Sequence, residues 1–375
     1  MATAAVAGKG LEGVTATTSA ISSIIGSTLT YRGIDINELA ENSTFEEVAY
    51  LLWFGELPNR EQLEAFEKDL ARNRRLPPEI IEFIRGFPRE ANAMAALRTA
   101  VSALAFYDPL ASDMSPEANH KKSVGLLAKF PAIVGALRRL REGKEPVEPD
   151  PNLSTAGNVL YMLNGERPKD QYARIMDIAL VLHADHELNA STFAARVAAS
   201  TLSDLHSAVV AALCTLKGPL HGGANEQVMK TLEKIGSVEG VPGYVRDALE
   251  RKERIMGFGH RVYKEGDPRA KWLKRLSEEL GRATKEPKWY EMSSLMEQEV
   301  KADKGLLANV DFYSASVYTY LGIPRDLFTP IFAVSRVSGW IAHILEQYAD
   351  NRLIRPRAEY IGPKQRPYVS MPQRS

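Results

Sequence analysis

The 375-residue chain has a single cysteine, Cys214, so it lacks the thiols for an intrachain disulfide or a cysteine-based zinc cage. That cysteine lies in the apolar run 209–216, which favours a small buried side chain over a nucleophile. The first residues lack the basic start and sustained apolar stretch of a secretory signal. No segment offers the ~18 consecutive apolar residues that a membrane span needs. These absences favour a cytoplasmic protein.

An excess of charge of either sign is also lacking. Lysine plus arginine and aspartate plus glutamate number 47 each, so no global field attracts nucleic acid or an anionic membrane. Any anionic ligand must therefore be bound by a local cluster of cations. The 45% hydrophobic and 25% charged fractions are typical of a globular enzyme. The length suggests two domains, because a single core stops growing near ~250–300 residues.

Regular alternation of strands and helices is missing too, which argues against a Rossmann fold or a TIM barrel. One segment, Thr28–Ile36, alternates β-branched and aromatic residues around a glycine and predicts a small hairpin. Elsewhere the helical period dominates, with predicted capping boxes at Ser43–Glu46 and Asn59–Gln62. The sequence therefore predicts an all-α fold with a small N-terminal β-hairpin. The longer predicted helices span Asn92–Tyr107, Lys121–Leu140, Ala190–Leu216 and Leu327–Tyr348.

A first glycine-rich motif, residues 217–225, joins two predicted helices. His221 lies on this short loop at the start of a helix, where the positive end of the dipole disfavours an imidazolium. We therefore predict a neutral ring that donates a hydrogen bond. An ordinary turn histidine between glycines is the alternative.

A second motif spans Gly257–Arg269, where two glycines flank an aromatic residue and His260 follows. Such a loop lets backbone N–H groups approach a ligand, while Arg261, Lys264 and Arg269 neutralise phosphates or carboxylates. It is not a dinucleotide fingerprint, because no strand precedes it and the third glycine is missing. A solvated basic loop stays open as the alternative.

Three charged residues near the C-terminus complete the candidates. Asp311 precedes an apolar helix, either as an ordinary N-cap or as a base that the helix dipole holds ionised. Arg336 interrupts an apolar helix, and a buried guanidinium needs an anion or an acidic partner. Arg355 lies on an extended segment, as a ligand-binding residue or as part of a solvated basic tail.

Two histidines three residues apart, His183 and His186, invite a metal-site interpretation. The helical zinc signature places its histidines four apart with a glutamate directly after the first, and alanine follows His183 here. The spacing therefore disfavours a metal site.

Taken together, these segments resemble the citrate synthase family over nearly the whole chain. The resemblance rests on three motifs in the family's order and spacing: GPLHGGANE, MGFGHRVYKEGDPRA and ANVDFYSASVY. It implies a large helical domain (1–221 and 316–375), a small helical domain (222–315) and a homodimer. The implied activity condenses oxaloacetate with acetyl-CoA and hydrolyses citryl-CoA to citrate, with no metal or cofactor, since acetyl-CoA is a substrate.

The resemblance also implies roles for individual residues. Asp311 matches the base, His221 the stabiliser of the enol and His260 the residue that polarises the ketone. Lys264 departs from the pattern, because relatives often have arginine there; lysine keeps the charge and loses the planar fork. The other matches are His186, Arg269 and Arg336 with oxaloacetate ligands, Arg355 with an arginine from the second protomer, and Gly257, Phe258, Gly259, Arg261 and Lys264 with the coenzyme A loop.

Three alternatives stay open. A 2-methylcitrate synthase using propionyl-CoA shares the motifs, and a methyl group is worth only ~1–3 kcal/mol in a pocket. The second alternative is a helical binding protein without enzymatic activity. It would require that the candidate residues of all three motifs have only structural roles. A metal-dependent hydrolase would use His183 and His186. Within the family, the short N-terminus implies a simple dimer without the extra domain of hexameric, NADH-inhibited relatives.

Overall fold

The computed structural model describes residues 9–11, 13–260, 263 and 266–374. This part of the chain is mostly helical and carries one small antiparallel sheet, which confirms the predicted fold class. The strands are β1 (Ser22–Ile25), β2 (Thr28–Tyr31) and β3 (Ile34–Asp35). The helices are α1 (Ile36–Asn42), α2 (Phe45–Phe54), α3 (Arg60–Asn73), α4 (Pro78–Arg85), α5 (Ala93–Leu104), α6 (Pro116–Arg141), α7 (Thr155–Asn164), α8 (Asp170–His183), α9 (Ala190–Ser200), α10 (Leu205–Leu216), α11 (Ala224–Ile235), α12 (Val241–Glu250), α13 (Pro268–Thr284), α14 (Lys288–Lys304), α15 (Val310–Tyr320) and α16 (Phe328–Ala349).

The sheet has the order β1-β2-β3 with antiparallel pairs throughout. The predicted hairpin corresponds to β2 and β3, and β1 is an additional strand that the sequence analysis missed. Gly33 turns the chain between β2 and β3 with φ +86, a conformation that glycine adopts without a steric penalty. Leu29 and Tyr31 are fully buried. The Tyr31 hydroxyl donates to the Asp185 carbonyl at 2.9 Å, so the sheet rests on the loop that follows α8.

One predicted capping box is shifted by a residue. Thr44 caps α2 and Glu47 reaches back to its backbone N–H, whereas the prediction placed this pair at Ser43 and Glu46. The Ser43 hydroxyl instead donates to a carbonyl of α1. Glu46 is buried and accepts from the N–H of Thr155, so it caps α7 from a distance. The second predicted box, at Asn59 and Gln62, is confirmed.

The predicted helix Ala190–Leu216 is wrong as a single element, because the chain breaks between α9 and α10. Leu202 has φ 63, and Asp204 caps α10 by accepting from the N–H of Ser207 at 3.0 Å. A local Asp cap competes with continuation of the helix at this point. The two helices then pack on each other.

Helix α16 is the centre of the core. Every residue from Phe328 to Ile344 is buried, and the helix packs against α2, α6, α8, α9 and α10. By length and mean hydropathy, residues 325–349 would also pass as a membrane span, which the sequence analysis found nowhere. The whole apolar window is buried inside the protein, as in the core helix of a globular fold.

The prediction that Cys214 is buried is wrong. It lies on the outer face of α10 and is exposed, while Ala212, Leu213 and Leu216 of the same helix are buried. Its Sγ atom is 3.8 Å from a guanidinium nitrogen of Arg98. An apolar run therefore concealed a helix with two different faces.

Helices α11 to α15 pack on one another, α13 and α11 against α15 and α12 against α14. They meet the rest of the chain through contacts of α13 with α1 and α8 and of α11 with α16. The candidate residues lie along this junction, at helix ends and in the loops between them.

Candidate active site

His221 lies in the turn between α10 and α11, and its ring is held by Ser191 at the start of α9. Its Nε2 atom is 2.8 Å from the Ser191 hydroxyl and accepts from the Ser191 N–H at 3.3 Å. Trp340 of α16 donates its indole N–H to the same hydroxyl at 3.0 Å. Because Nε2 accepts a backbone N–H, the network places the ring proton on Nδ1.

Burial and the nearby Arg336 lower the pKa of His221 to about 4, so its ring is neutral at pH 7. The sequence analysis attributed this neutrality to the helix dipole. The structure adds desolvation and a neighbouring cation as causes, neither of which is visible in the local sequence.

The loop around Phe258 is joined to the segment that precedes α15. Gly259 donates its N–H to the Leu307 carbonyl at 2.9 Å, and Asn309 donates its N–H to the Gly257 carbonyl at 2.9 Å. A Cβ on Gly257 would lie 2.8 Å from atoms of Phe312 and Val228, and its φ of +85 also requires glycine. These contacts bring His260 and Asp311 to the same end of α15.

His260 forms an aromatic cluster with His186 and Tyr263. Its ring centroid is 5.2 Å from that of His186 and 4.6 Å from that of Tyr263. Nδ1 of His260 accepts from the Tyr263 N–H at 3.2 Å, which places the proton of a neutral ring on Nε2. The Tyr263 hydroxyl lies 3.2 Å from Nε2 of His186.

Both histidines of this cluster are held neutral. Burial and the Arg269 cation lower the pKa of His260 below its ordinary value. Burial, reinforced by Arg269 and Arg336, lowers the pKa of His186 still further. Two neutral rings therefore face the same cluster of cations.

Asp311 occupies the first turn of α15, but Asn309 is the N-cap. Its Oδ1 atom is buried and has no hydrogen-bond partner among the described residues. Burial raises the pKa of Asp311 to about 7, with Asp267 adding to the rise and Arg269 opposing it. The prediction of an N-cap is therefore wrong. Desolvation favours the protonated form of Asp311, and so opposes the helix dipole that was predicted to hold the carboxylate ionised. Asp311 instead gains or loses its proton near neutral pH.

Arg269 is buried and forms an ion pair with a neighbouring carboxylate. Its Nε and Nη2 atoms donate to Asp267 at 2.9 and 2.8 Å, a two-pronged ion pair. Asp267 also accepts the N–H of Val310 at 3.0 Å. This aspartate therefore ties α13, which begins at Pro268, to the first residue of α15.

Arg336 is 2% exposed and has no carboxylate within ion-pair distance among the described residues. Its Nε donates to the His183 carbonyl at 2.7 Å, and its guanidinium lies 4.6 Å from the Phe332 ring centroid. Burial lowers the pKa of Arg336 to about 10, so it stays charged at neutral pH. A buried cation without a direct counterion is suited to bind an anion.

The other predicted site residues are less constrained. Arg355 is exposed, forms no ion pair within the described part of the chain, and lies on the C-terminal segment, apart from the histidine cluster. Arg261 and Lys264 lie outside the described residues. His183 donates from Nδ1 to the Ala179 carbonyl at 2.7 Å and meets the Phe332 ring edge to face, whereas His186 lies in the cluster with His260 and Tyr263. Among the described residues, no group of three or more potential ligands is arranged to hold a metal ion.

The charges link these groups into one site. Arg336 influences the protonation of His221, His186 and Asp311. Arg269 influences that of His186, His260 and Asp311. The structure therefore brings together the three predicted catalytic residues, His186 and the two buried arginines, and leaves Arg355 outside this cluster.

Sequence reasoning missed four residues that hold this cluster. Ser191 and Trp340 position His221, and Asp267 and Tyr263 position Arg269 and the two histidines. Only Asp267 had a local signal, since an aspartate before a proline and a predicted helix is a typical N-cap. The others depend on contacts between distant parts of the chain.

Comparison with known proteins gives the same assignment along the whole chain. The profile of the citrate synthase C-terminal domain matches residues 10–357. The chain is 57% identical to citrate synthase 2 of Bacillus subtilis, over 98% of this chain and 99% of the relative. It is 52% identical to the citrate synthase of Haloferax volcanii, over 98% of each. A 2-methylcitrate synthase of Corynebacterium glutamicum is 43% identical over 98% of each.

Solved structures are equally similar. The citrate synthase of Pyrobaculum aerophilum superposes with a TM-score of 0.91 at 43% identity, covering 97% of this chain and 95% of that one. The citrate synthase of Thermoplasma acidophilum, solved in ternary complex with carboxymethyl coenzyme A and oxaloacetate, gives a TM-score of 0.91 at 36% identity and covers 98% and 99%.

This helical fold and its relatives define an enzyme that transfers an acyl group. The match extends over nearly the full length of both proteins in each comparison. The chain belongs to the citrate synthase family.

Proposed function

We propose that this chain condenses oxaloacetate with acetyl-CoA and hydrolyses the resulting citryl thioester to citrate and coenzyme A. The observation that carries the proposal is the environment of Asp311, a buried carboxylate with a pKa near 7 beside neutral histidines and buried arginines. A general base works best when its pKa lies near the working pH. The family membership supports the same reaction.

In the proposed reaction, Asp311 removes a proton from the thioester methyl group. That proton is weakly acidic, so the developing enolate needs stabilisation as it forms. Neutral His221 supplies a hydrogen bond from Nδ1 to the thioester oxygen, which is consistent with Nε2 being occupied by Ser191. The enol carbon then attacks the ketone of oxaloacetate, and His260 polarises its oxygen.

The oxaloacetate carboxylates would be held by His186, Arg269 and Arg336. Arg336 is proposed as the stronger anion ligand of the two arginines, because Arg269 already donates two hydrogen bonds to Asp267. The two buried cations also offset the negative charge that develops on the ketone oxygen. The ternary complex of the Thermoplasma relative with oxaloacetate and carboxymethyl coenzyme A supports oxaloacetate as a substrate.

Coenzyme A is proposed to bind along the Gly257–Gly259 loop, with Arg261 and Lys264 as additional cations. A cavity of about 380 Å³ beside Phe258 supports this location. Its lining includes apolar side chains, which are suited to contact the nucleobase of coenzyme A, and the cations of Lys252, Arg254 and Lys304, which are suited to bind its phosphates. Acetyl-CoA is consumed as a substrate, and the proposed chemistry requires no metal or redox cofactor.

We further propose a homodimer in which Arg355 reaches the partner's site. Arg355 has no ion pair in its own described chain, and it lies on a C-terminal segment with several exposed apolar side chains. Ile361 is 92% exposed and Tyr368 is 85% exposed, values that suit a segment packed on a second subunit. If Arg355→Ala and Arg336→Ala chains are mixed, one site per mixed dimer should regain both arginines, and absence of recovered activity would exclude action in trans.

A division into a large unit (1–221 and 316–375) and a small unit (222–315) is part of the proposal. Packing of α11 to α15 on one another supports it. Closure of the small unit over bound oxaloacetate would exclude water until condensation is complete. A cytoplasmic location follows from these soluble substrates and suits the unpaired thiol of Cys214.

The test is release of free thiol from acetyl-CoA by the purified protein. Release should require oxaloacetate and persist after exhaustive chelation, which would also exclude the metal-dependent hydrolase. The same assay is run with propionyl-CoA. A higher kcat/KM for acetyl-CoA than for propionyl-CoA would exclude 2-methylcitrate synthase as the main activity. The greater similarity to citrate synthases, at 57% and 52% identity against 43%, supports acetyl-CoA. No thiol release from either thioester would overturn the proposed function.

A further inference from the structure

Behind the proposed oxaloacetate site lies a buried polar network that the proposed mechanism does not use. It begins at Asp185, which directly precedes His186 and is fully buried. The Asp185 carboxylate accepts a hydrogen bond from the Ser22 hydroxyl of β1 and lies 3.2 Å from Nε2 of His343 on α16. Its backbone N–H and carbonyl both bond the Tyr31 hydroxyl, at 3.1 and 2.9 Å.

His343 connects this carboxylate to a second charged pair. Its Nδ1 is 3.4 Å from Nη1 of Arg196, which is a donor only, so Nδ1 must accept. The ring proton is therefore on Nε2 and points to Asp185. The same Arg196 group bonds Glu346, and its Nε donates to Gln347 at 3.1 Å.

The network extends to the C-terminal segment. Gln347 donates to Asn351 and to the Arg352 carbonyl at 3.1 and 3.4 Å, and the N–H of Ile354 donates to the Ser200 hydroxyl at 3.0 Å. Arg355 is the next residue. Asn351 donates to the Ser200 carbonyl at 3.1 Å, so hydrogen bonds linked through Ser200 join the residue before His186 to the residue before Arg355.

Asp185 also interacts electrostatically with Arg336. The loop and α16 approach so closely that a Cβ on Gly339 would lie 2.3 Å from the Ala184 carbonyl oxygen and 2.5 Å from Oδ1 of Asp185. Asp185 is the anion with the largest influence on Arg336, and it forms no direct ion pair with it among the described residues. Its charge therefore compensates the Arg336 guanidinium without occupying the hydrogen-bond donors that a substrate would need.

We propose that His343 is a positioning residue for oxaloacetate: by bridging Asp185 and Arg196 it fixes the geometry of His186 and Arg336. The inference rests on the proposed function, because it assigns those two residues to oxaloacetate. It predicts that loss of the bridge weakens binding of this substrate and leaves the thioester side of the site intact.

The test compares His343→Leu with His343→Gln. Leucine removes both hydrogen bonds and leaves buried polar partners unsatisfied, so KM for oxaloacetate should rise about tenfold or more. The KM for acetyl-CoA should stay within about twofold of wild type, because its proposed contacts lie elsewhere. Glutamine offers both a donor and an acceptor and should restore most of the oxaloacetate affinity.

His206→Leu is the matched control, since His206 is another buried histidine beside a carboxylate, 3.5 Å from Asp108, outside the site. It should lower thermal stability without changing either KM. If His343→Leu changes stability alone, or raises both KM values together, the positioning role is overturned. If His343→Leu does not fold, Asp185→Asn is used in its place. A KM for oxaloacetate within twofold of wild type in Asp185→Asn would also overturn the positioning role.

These outcomes are separable from failure of the proposed function. An inactive wild-type enzyme would remove the proposed reaction itself. An active wild type with unaffected variants would remove only the role of His343.

Discussion

Replacement of Asp311 by asparagine should lower kcat strongly and make the free energy of unfolding less dependent on pH than in wild type. Burial raises the pKa of Asp311 from its ordinary 3.8 to about 7, so the folded state binds a proton that the unfolded state has lost. The resulting stabilisation is fully present below pH ~4 and disappears as the pH rises through 7. A shift of this size is worth about 4 kcal/mol in total, of which about 2–3 kcal/mol is lost between pH 5 and pH 8.

Asparagine has no proton to lose, so Asp311→Asn should escape this part of the pH dependence. The difference in unfolding free energy between variant and wild type should grow in favour of the variant by about 2–3 kcal/mol from pH 5 to pH 8. Urea denaturation at several pH values measures this difference, and constant effects of the amide itself cancel. The kcat of Asp311→Asn should be lower than that of wild type by a factor on the order of 10²–10⁴, because the variant lacks the proposed base.

Asp303→Asn on the exposed face of α14 is the control and should alter neither quantity. A stability difference that stays constant between pH 5 and pH 8 would show that Asp311 is not desolvated in the folded protein. Wild-type turnover in Asp311→Asn would remove it from the mechanism.

Three further predictions follow from the same site. His221→Ala should lower kcat by on the order of 10²–10⁴ with the fold intact by circular dichroism, and unchanged turnover would exclude it as the enol stabiliser. Gly339→Ala should cost about 1–3 kcal/mol of stability, because its methyl group would lie 2.3 Å from the Ala184 carbonyl oxygen; a fully stable variant would contradict that contact. In wild type, kcat/KM should fall about tenfold per pH unit below about pH 7, as Asp311 takes up its proton, and an acid limit near pH 4 would contradict its raised pKa.

The fold class was accessible from sequence through local signals, and the candidate catalytic residues were accessible through the resemblance of three motifs to the citrate synthase family. Helical periodicity and turn residues predicted the helices, and three short motifs contained His221, His260 and Asp311. The N-cap of α2 was placed one residue early because Ser43 and Thr44 are both good caps, and only tertiary contacts decide between them. The break before α10 lies in a short polar segment, residues 200–204, between two apolar stretches, and the prediction joined those stretches into one helix.

Electrostatic properties of the site were less accessible, because they depend on groups far apart in the chain. His221 is neutral through burial and Arg336, which lies 115 positions later in the sequence. The network behind His186 joins residues of β1, α9 and α16. Sequence motifs identify which residues meet, whereas desolvation and distant charges determine their protonation.

Asp267 and Asp311 illustrate how the same side chain is given two tasks within one site. Burial alone would raise the pKa of both. For Asp267 the charge of Arg269 and the hydrogen bonds that it donates outweigh burial, so the pKa of Asp267 lies below the ordinary value. Asp311 has no such partner at Oδ1, and its pKa is raised. A carboxylate that stays ionised is a poor proton acceptor but a stable ion-pair partner, so Asp267 is suited to hold Arg269 and α15 in place. Asp311, whose Oδ1 has no partner among the described residues, is suited to proton transfer.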